Sequence, residues 1–504
     1  MRRIPKAIQG LVLFERIRGG PVRYRLGALV VVAGLVFATL GMQAASAGGP
    51  TLTRLRIELW GTGEWQSVSF SDAIIGSYHV VAQSAGSTVE RGTSVILLRG
   101  VSGTALSTTV DVLLEISNPN ASSFAVRLAK AKVGEAHTKL YRTNTTSTLI
   151  HTSNNYQSTG DCTVTSYVSR SSFVADGYTM PHLDTRRLVL AFYYPWFQQG
   201  SFDKGPWYDT PTTAYDTLNA AEVAKQADLA KSVGVNGFVV SWDDVGNHTQ
   251  RFDTAMAAAR VRSMVVAPLI ELLMWKTSSG FNVSGIVSTM KLALQRSSDA
   301  AFLKVNGKPV LFVFGAFQMP PDVWKSITTS LAAAGHDPFY IGEPADASYG
   351  FNGAYSYNPN LIDYNSLHER NAGYMRTLRY AAQVNPAVKQ RLWAATVSPG
   401  QNLSYFNPIF PKNQARDNGE RYNLTWSAAV STDPEWVLIT SWNEWYEATH
   451  IVPSKKFGWT ALDQTAGWSA GFHNPGQGGG DQSSGGLLSN LPPIPLKLGG
   501  AVEG

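Results

Sequence analysis

The residues most suited to chemistry lie in Ser441-Trp442-Asn443-Glu444-Trp445-Tyr446-Glu447-Ala448-Thr449-His450. Glu444 and Glu447 stand three residues apart among Trp and Tyr, directly after an apolar run. In an extended strand residues three apart face opposite sides; in a helical turn they share a face. Both acids therefore reach one substrate only if the strand ends near Trp442 and the chain turns by Glu447. Two carboxyls beside aromatic rings suit glycoside cleavage, in which one donates a proton while the other acts ionised. The alternative is a pair of solvated surface acids, but solvated turns are rarely so aromatic.

Other polar and aromatic residues also follow apolar runs: Tyr193, Tyr194 and Trp196; Trp242 and Asp243; Glu271; Tyr355 and Tyr357; and Asn443. All are candidates for substrate binding. The competing readings are core aromatics for Tyr194 and Trp196, an ion pair for Glu271, and a helix or loop cap for Asp243. His248 and His450 lack the spacing of a helical metal site, so no metal is expected. No dinucleotide fingerprint, phosphate loop or G-x-S-x-G elbow occurs, and no cofactor is expected.

These residues need a scaffold that brings strand ends together. From Arg187 apolar runs alternate with helical stretches. The runs are Leu188–Tyr194, Val235–Trp242, Met264–Leu272, Pro309–Gly315, Phe339–Glu343, Gly353–Tyr357, Arg391–Ser398 and Trp436–Trp442. Eight such strands in roughly 270 residues predict a (β/α)₈ TIM barrel over 187–459, with its chemistry at the C-terminal strand ends. Only the connection Pro344–Asn352 lacks a helical pattern. Residues 50–185 instead carry short runs rich in Val, Ile, Thr and Ser, such as Leu55–Leu59 and Thr109–Ile116. They predict an all-β, sandwich-like domain. Residues 460–504, rich in Gly, Pro and Ser, read as a mostly disordered tail.

The net charge of +6 is not spread evenly. Residues 1–47 hold seven basic residues against Glu15, leaving a body with 35 residues of each sign. A neutral body gives no footprint for a nucleic-acid partner. The basic stretch precedes an apolar run, Leu26–Met42, and then Ala45-Ser46-Ala47. That order describes a secretory signal, or an uncleaved anchor that is the chain's sole membrane contact. Either way the body is expected outside the cell or at its surface.

Residues 187–459 resemble glycoside hydrolase family 99, the endo-α-1,2-mannosidase family. The resemblance rests on Phe192-Tyr193-Tyr194-Pro195-Trp196, Gly237-Phe238-Val239-Val240-Ser241-Trp242, Ala395-Thr396-Val397-Ser398-Pro399-Gly400 and Leu438–Glu447. It implies retaining hydrolysis inside an α-mannoside chain. By resemblance Glu447 is the general acid and Glu444 the base acting on the sugar's own 2-hydroxyl. Glu271 matches a sugar-contacting acid, and Tyr355 or Tyr357 an aromatic of the same pocket. Tyr446 and the stretch Ala448–Val452 depart from the family's usual residues, which leaves the sugar open. The expected partner is a polysaccharide or glycan. Two other readings are a non-catalytic glycan-binding surface protein and a glycosyltransferase-like relative in polysaccharide assembly. The latter lacks any basic or Gly-rich element for a nucleotide sugar.

Overall fold

The computed structural model describes residues 50–475, apart from 102, 145, 175–179, 204, 206, 243–246, 344–346, 362–363 and 406–412. The expected signal or anchor, Asp243 and residues 476–504 lie outside the described residues.

The first domain is built from strands β1 (Leu52–Thr62), β2 (Trp65–Phe70), β3 (Ala73–Gln83), β4 (Thr88–Arg91), β5 (Val95–Arg99), β6 (Ala105–Ile116), β7 (Ser123–Lys130), β8 (Glu135–Arg142), β9 (Thr148–Asn155) and β10 (Thr163–Ser169). They form two five-stranded antiparallel sheets, β3-β6-β1-β8-β9 and β10-β7-β2-β5-β4. Each strand of such a pair buries one face, and the sequence alternates to match. In β1 the residues Leu55, Ile57 and Leu59 are buried while Arg54, Arg56 and Glu58 face outward. The inward residues of both sheets share one core, joined by Val68, Ile96, Val110 and Leu128.

The second domain is the barrel. Its strands are β11 (Val189–Tyr193), β12 (Gly237–Trp242), β13 (Val265–Glu271), β14 (Lys308–Phe314), β15 (Phe339–Gly342), β16 (Gly353–Ala354), β17 (Leu392–Val397) and β18 (Trp436–Ile439). All eight pair in parallel, and the contact between β13 and β14 closes the ring. Six of the eight, β11, β12, β15, β16, β17 and β18, are buried along their whole length. Helices cover the outer face and side chains fill the inner one, so these strands read as continuous apolar runs. The helices are α1 (Ala220–Ser232), α2 (His248–Arg260), α3 (Val283–Leu294), α4 (Pro321–Ala333), α5 (Tyr364–Met375), α6 (Glu420–Val430) and α7 (Thr460–His473). Between β15 and β16 the described residues hold only one 3₁₀ turn, Ala347–Tyr349.

The last helix corrects the tail expected from residue 460. Its buried face is Ala461, Leu462, Thr465, Ser469 and Phe472, and Ser469 Oγ donates to the Val233 carbonyl at the end of α1. That face is mostly small or hydroxylated, and Gly467 and Gly471 lower helix propensity, so the apolar period was weak.

The sandwich meets the barrel where α5 runs through a π-helical segment, Arg376–Tyr380. Ser77 Oγ donates to the Tyr380 carbonyl at 2.9 Å. A Cβ on Gly76 would lie 2.5 Å from the Tyr380 ring, so a side chain there would push the two domains apart. Leu52 and Leu113 of the sandwich belong to the barrel's apolar cluster.

Candidate active site

The segment after β18 folds back on itself and so brings its two acids to one place. The Ser441 N–H donates to the Thr449 carbonyl, and the Thr449 N–H donates to the Glu444 carbonyl. The Ser441 hydroxyl accepts from the Glu444 N–H at 2.8 Å and meets the Thr449 hydroxyl at 2.9 Å. Within this turn the Glu444 carboxylate accepts the N–H of Tyr446 at 2.9 Å, and that of Glu447 as well. Glu444 is buried and Glu447 partly so.

Burial and the neighbouring Glu447 charge push the Glu444 carboxyl well above the usual range, and Glu271 adds to the effect. The two backbone N–H donors oppose the shift. Burial pushes Glu447 up to about 7, opposed only by the Gln401 amide, whose Nε2 lies 3.5 Å from its Oε2. Each carboxyl therefore holds its proton more tightly than a free glutamic acid does.

Tyr194 and Tyr357 complete the acid cluster. Their hydroxyls share a short hydrogen bond, and both phenols are held protonated by burial and by the charges of Glu444 and Glu447. Glu271, at the end of β13, accepts from Ser241 Oγ at 2.8 Å and acts electrostatically on Tyr194 and Glu444. Trp196 lies beside Tyr194, ring to ring at 4.8 Å.

Four sequence candidates sit elsewhere. Tyr193 alternates with Phe192 along β11; Phe192 packs inside the barrel on Phe312 and Tyr355, so Tyr193 turns outward onto Phe238. Trp242 is likewise in the helix layer, edge-on to Phe252 of α2 at 4.7 Å. Tyr355 lies within the barrel and its hydroxyl donates to the Val313 carbonyl at 3.2 Å. Asn443 is fully buried and spends its amide on the scaffold. Its Oδ1 accepts from the Tyr194 N–H at 2.7 Å, while Nδ2 donates to the Tyr194 carbonyl and the Tyr215 hydroxyl. Asn443 thus positions Tyr194 and leaves no donor for a ligand. A run of apolar and aromatic residues does not reveal which of two adjacent rings faces the mouth.

Four contributors lie outside the candidate site residues chosen from the sequence. Glu343, after β15, accepts the Tyr357 N–H at 2.8 Å and so fixes that ring. Gln401 touches Glu447 and lies one residue past the Ala395–Gly400 motif, which was the available signal. Trp207 and Tyr405, from separate loops, pack on Tyr446 at 4.9 and 4.8 Å, forming an aromatic wall. Isolated loop aromatics carry no periodic signal.

A closed (β/α)₈ barrel whose mouth gathers buried carboxyls, tyrosines and tryptophans has the architecture of a glycoside-processing barrel. The chain belongs to glycosyl hydrolase family 99, whose family model matches residues 212–463, half of the chain. Among curated proteins it is similar to the mouse glycoprotein endo-alpha-1,2-mannosidase, 27% identical over 157 residues, 28% of this chain and 32% of that protein. It is also similar to a zebrafish glycoprotein endo-alpha-1,2-mannosidase-like protein, 27% identical over 181 residues, 32% of this chain and 39% of that one. The chain thus spans about a third of the length of these relatives. A solved family 99 endo-alpha-mannosidase from Bacteroides thetaiotaomicron matches 57% of this chain and 98% of its own, with 19% identity and a TM-score of 0.49.

Proposed function

We propose that the protein is an exported glycoside hydrolase that cleaves within α-mannoside or related surface polysaccharide, with retention of configuration. Glu447 is the acid and base at the glycosidic oxygen, and Glu444 the base at the 2-hydroxyl. The observation that carries this reading is the turn after β18, which brings buried Glu444 and partly buried Glu447 into one cluster, with no cation among the described residues acting on them.

In the first step Glu444 takes the proton of the sugar's 2-hydroxyl as O2 attacks C1. The C1–oxygen bond breaks and the departing oxygen receives the Glu447 proton, leaving a 1,2-anhydro sugar. In the second step Glu447 takes a proton from water, whose oxygen attacks C1. The C1–O2 bond breaks, and O2 recovers its proton from Glu444. Two inversions at C1 give net retention. On the protein's own groups both carboxyls are pushed above the usual range. The substrate distinguishes them. The 2-hydroxyl is a third donor to Glu444, and a hydrogen bond to the ionised form lowers a carboxyl's pKa. The glycosidic oxygen is an acceptor, which favours the protonated form of Glu447.

The export reading rests on the order of basic residues, Leu26–Met42 and Ala45-Ser46-Ala47. It is checked by the N-terminus and location of the mature chain in expressing cells.

The functional test incubates the protein with a panel of α-mannans and bacterial glycans and sizes the fragments. Glu447→Gln is the control, and a 2-deoxy analogue of any cleaved sugar is the second probe. Fragments should appear with the wild type alone, and the 2-deoxy analogue should stay intact. Equal release by Glu447→Gln would remove the mechanism.

A further inference from the structure

The outer face of the sheet β3-β6-β1-β8-β9 has two different ends. At one, Leu113 of β6 joins the barrel's apolar cluster and Glu115 lies 3.7 Å from Arg376. Six residues back along β6, about 20 Å at the rise of a strand, the same face is exposed at Ser107. There the register sets Ser107, Trp60, His137 and Asn154 side by side across β6, β1, β8 and β9.

The Trp60 and His137 rings are stacked, with 5.4 Å between centroids and 13° between planes. Tyr156, just past β9 and 63% exposed, stands edge-on to His137 at 5.3 Å. His137 thus braces a larger ring on each side. With one face of Trp60 against His137, the other looks across β6. The residues on that side are short: Ser107, and Ser84, whose hydroxyl accepts the Ser107 N–H at 3.1 Å. Asn154 Oδ1 accepts from His137 Nδ1 at 2.7 Å, which leaves the Asn154 Nδ2 donors for a ligand.

The charges of this face are matched. Arg56 pairs with Asp111 at 2.7 Å, Glu58 and Lys139 stand opposite each other on β1 and β8, and His137 Nε2 lies 3.4 Å from Glu135. A balanced face has no footprint for a polyanion. The rings are also ringed by hydroxyls, an amide and charges, unlike the apolar centre of a protein interface. A sugar ring offers a flat C–H face for the aromatic ring and hydroxyls for the polar groups around it.

We propose that the outer face of the sandwich binds a neutral polysaccharide chain, with sugar rings stacked on Trp60 and Tyr156 and hydroxyls met by Ser107 and Asn154. The site uses no barrel residue and stands whether or not the barrel cleaves the same polymer. Because Ser77, Gly76 and Leu113 dock the sandwich on the barrel, a chain held here holds the barrel on its polymer.

The test is native electrophoresis of the full-length protein in gels that contain soluble α-mannan, galactomannan, dextran or polygalacturonate. Every protein carries Glu447→Gln, so that no polymer is cut during the run. At least one neutral polymer should retard the protein, and Trp60→Ala should raise its Kd by about tenfold, the scale of one lost ring contact. Tyr156→Ala should raise it about threefold, since that ring is the more exposed and its contact the smaller. Denaturation midpoints report that each variant has folded; if Trp60→Ala lowers its midpoint, Tyr156→Ala decides. No retardation by any neutral polymer overturns the proposal. Retardation unchanged in both variants also overturns it and places the polymer at the barrel mouth. Trp60-dependent retardation by polygalacturonate alone overturns the neutral ligand. Self-association that either substitution abolishes, without retardation, gives the face to a second copy of the chain instead.

Discussion

The two ends of the barrel treat buried acids in opposite ways. At the N-terminal ends of the strands each acid faces a cation. Glu435, just before β18, lies 3.4 Å from Arg379 and accepts the N–H groups of Trp393 and Leu183. Asp433 pairs with Arg187 at 2.7 Å and with His182 at 3.2 Å, and Asp184 pairs with Arg186. At the C-terminal ends Glu444 and Glu447 face each other, Glu271 and two tyrosines. The difference teaches how to sort acids in one domain. Burial raises the carboxyl pKa at both ends, at Glu435 as at Glu447. Only an arrangement without a neutralising cation leaves a proton free to be exchanged near neutral pH.

One substitution made at each end gives the sharpest contrast. Glu447→Gln should lower kcat/KM on an oligosaccharide by about 10²- to 10⁴-fold, the usual contribution of a positioned acid. Its stability should hold or rise, because the folded state binds the Glu447 proton more tightly than the unfolded chain does. That proton stabilises fully below the unfolded pKa, and the stabilisation is lost as pH rises toward about 7. Glu435→Gln should do the reverse. It strands Arg379, which is 1% exposed, and should cost about 3–5 kcal/mol by chemical denaturation, with kcat/KM of the folded fraction kept. Similar losses of activity from both changes would erase the distinction. The same contrast holds for pH: wild-type activity should fall as pH rises through about 7, where Glu447 gives up its proton. Glu435→Gln should leave that limb in place.

The barrel was legible because burial on both faces writes eight apolar runs into the chain, and all eight expected strands form. The sandwich was legible only in part. Runs such as Leu55–Leu59 and Thr109–Ile116 fall inside β1 and β6, but β8 and β9 carry Thr, His, Lys and Asn that blur the alternation. The mouth was legible as a set of strand ends, which placed Glu444, Glu447, Tyr194 and Trp196 near one another. The direction of each side chain was not. Period-two alternation in a fully apolar strand leaves no polar residue to mark the face, so Tyr193 and Tyr194 looked equivalent. Gln401 and Glu343 act through contacts far apart in sequence, which no local pattern encodes.

A smaller effect concerns the loop that braces the mouth. His450 is stacked on Trp445 at 3.9 Å, and its Nε2 meets Asp209 at 3.1 Å. Burial, with Arg416 nearby, lowers the imidazole pKa to about 4 despite Asp209. Above that pH the ring is neutral and the contact is a hydrogen bond rather than an ion pair. The unfolded chain takes up this proton near pH 6.5, so stability should fall as pH drops from there toward 4, by up to about 3 kcal/mol. Substituting His450 by Gln should flatten that acid limb in a pH series of denaturation curves. An unchanged acid limb would mean that the ring is already charged in the fold. The active-site acids pull the other way over the same range, so the difference between wild type and the His450 variant, rather than the wild-type curve alone, isolates the imidazole.

The smallest contrast tests the reassignment of the two tyrosines near β16. Tyr357 and Tyr355 are two residues apart and both are buried, yet their hydroxyls lead to different places. Removing the Tyr357 hydroxyl takes away the partner of the Tyr194 hydroxyl beside Glu444 and Glu447. Tyr357→Phe should therefore lower kcat/KM by about fivefold, with a stability loss of roughly 1 kcal/mol. Tyr355→Phe deletes a hydrogen bond to the Val313 carbonyl inside the barrel and should cost a similar amount of stability, with kcat/KM unchanged. Stability alone cannot separate the two; the rate can. If Tyr355→Phe slowed catalysis as much as Tyr357→Phe, the barrel interior and the mouth would act as one unit, and acids could not be sorted by the end of the barrel they occupy.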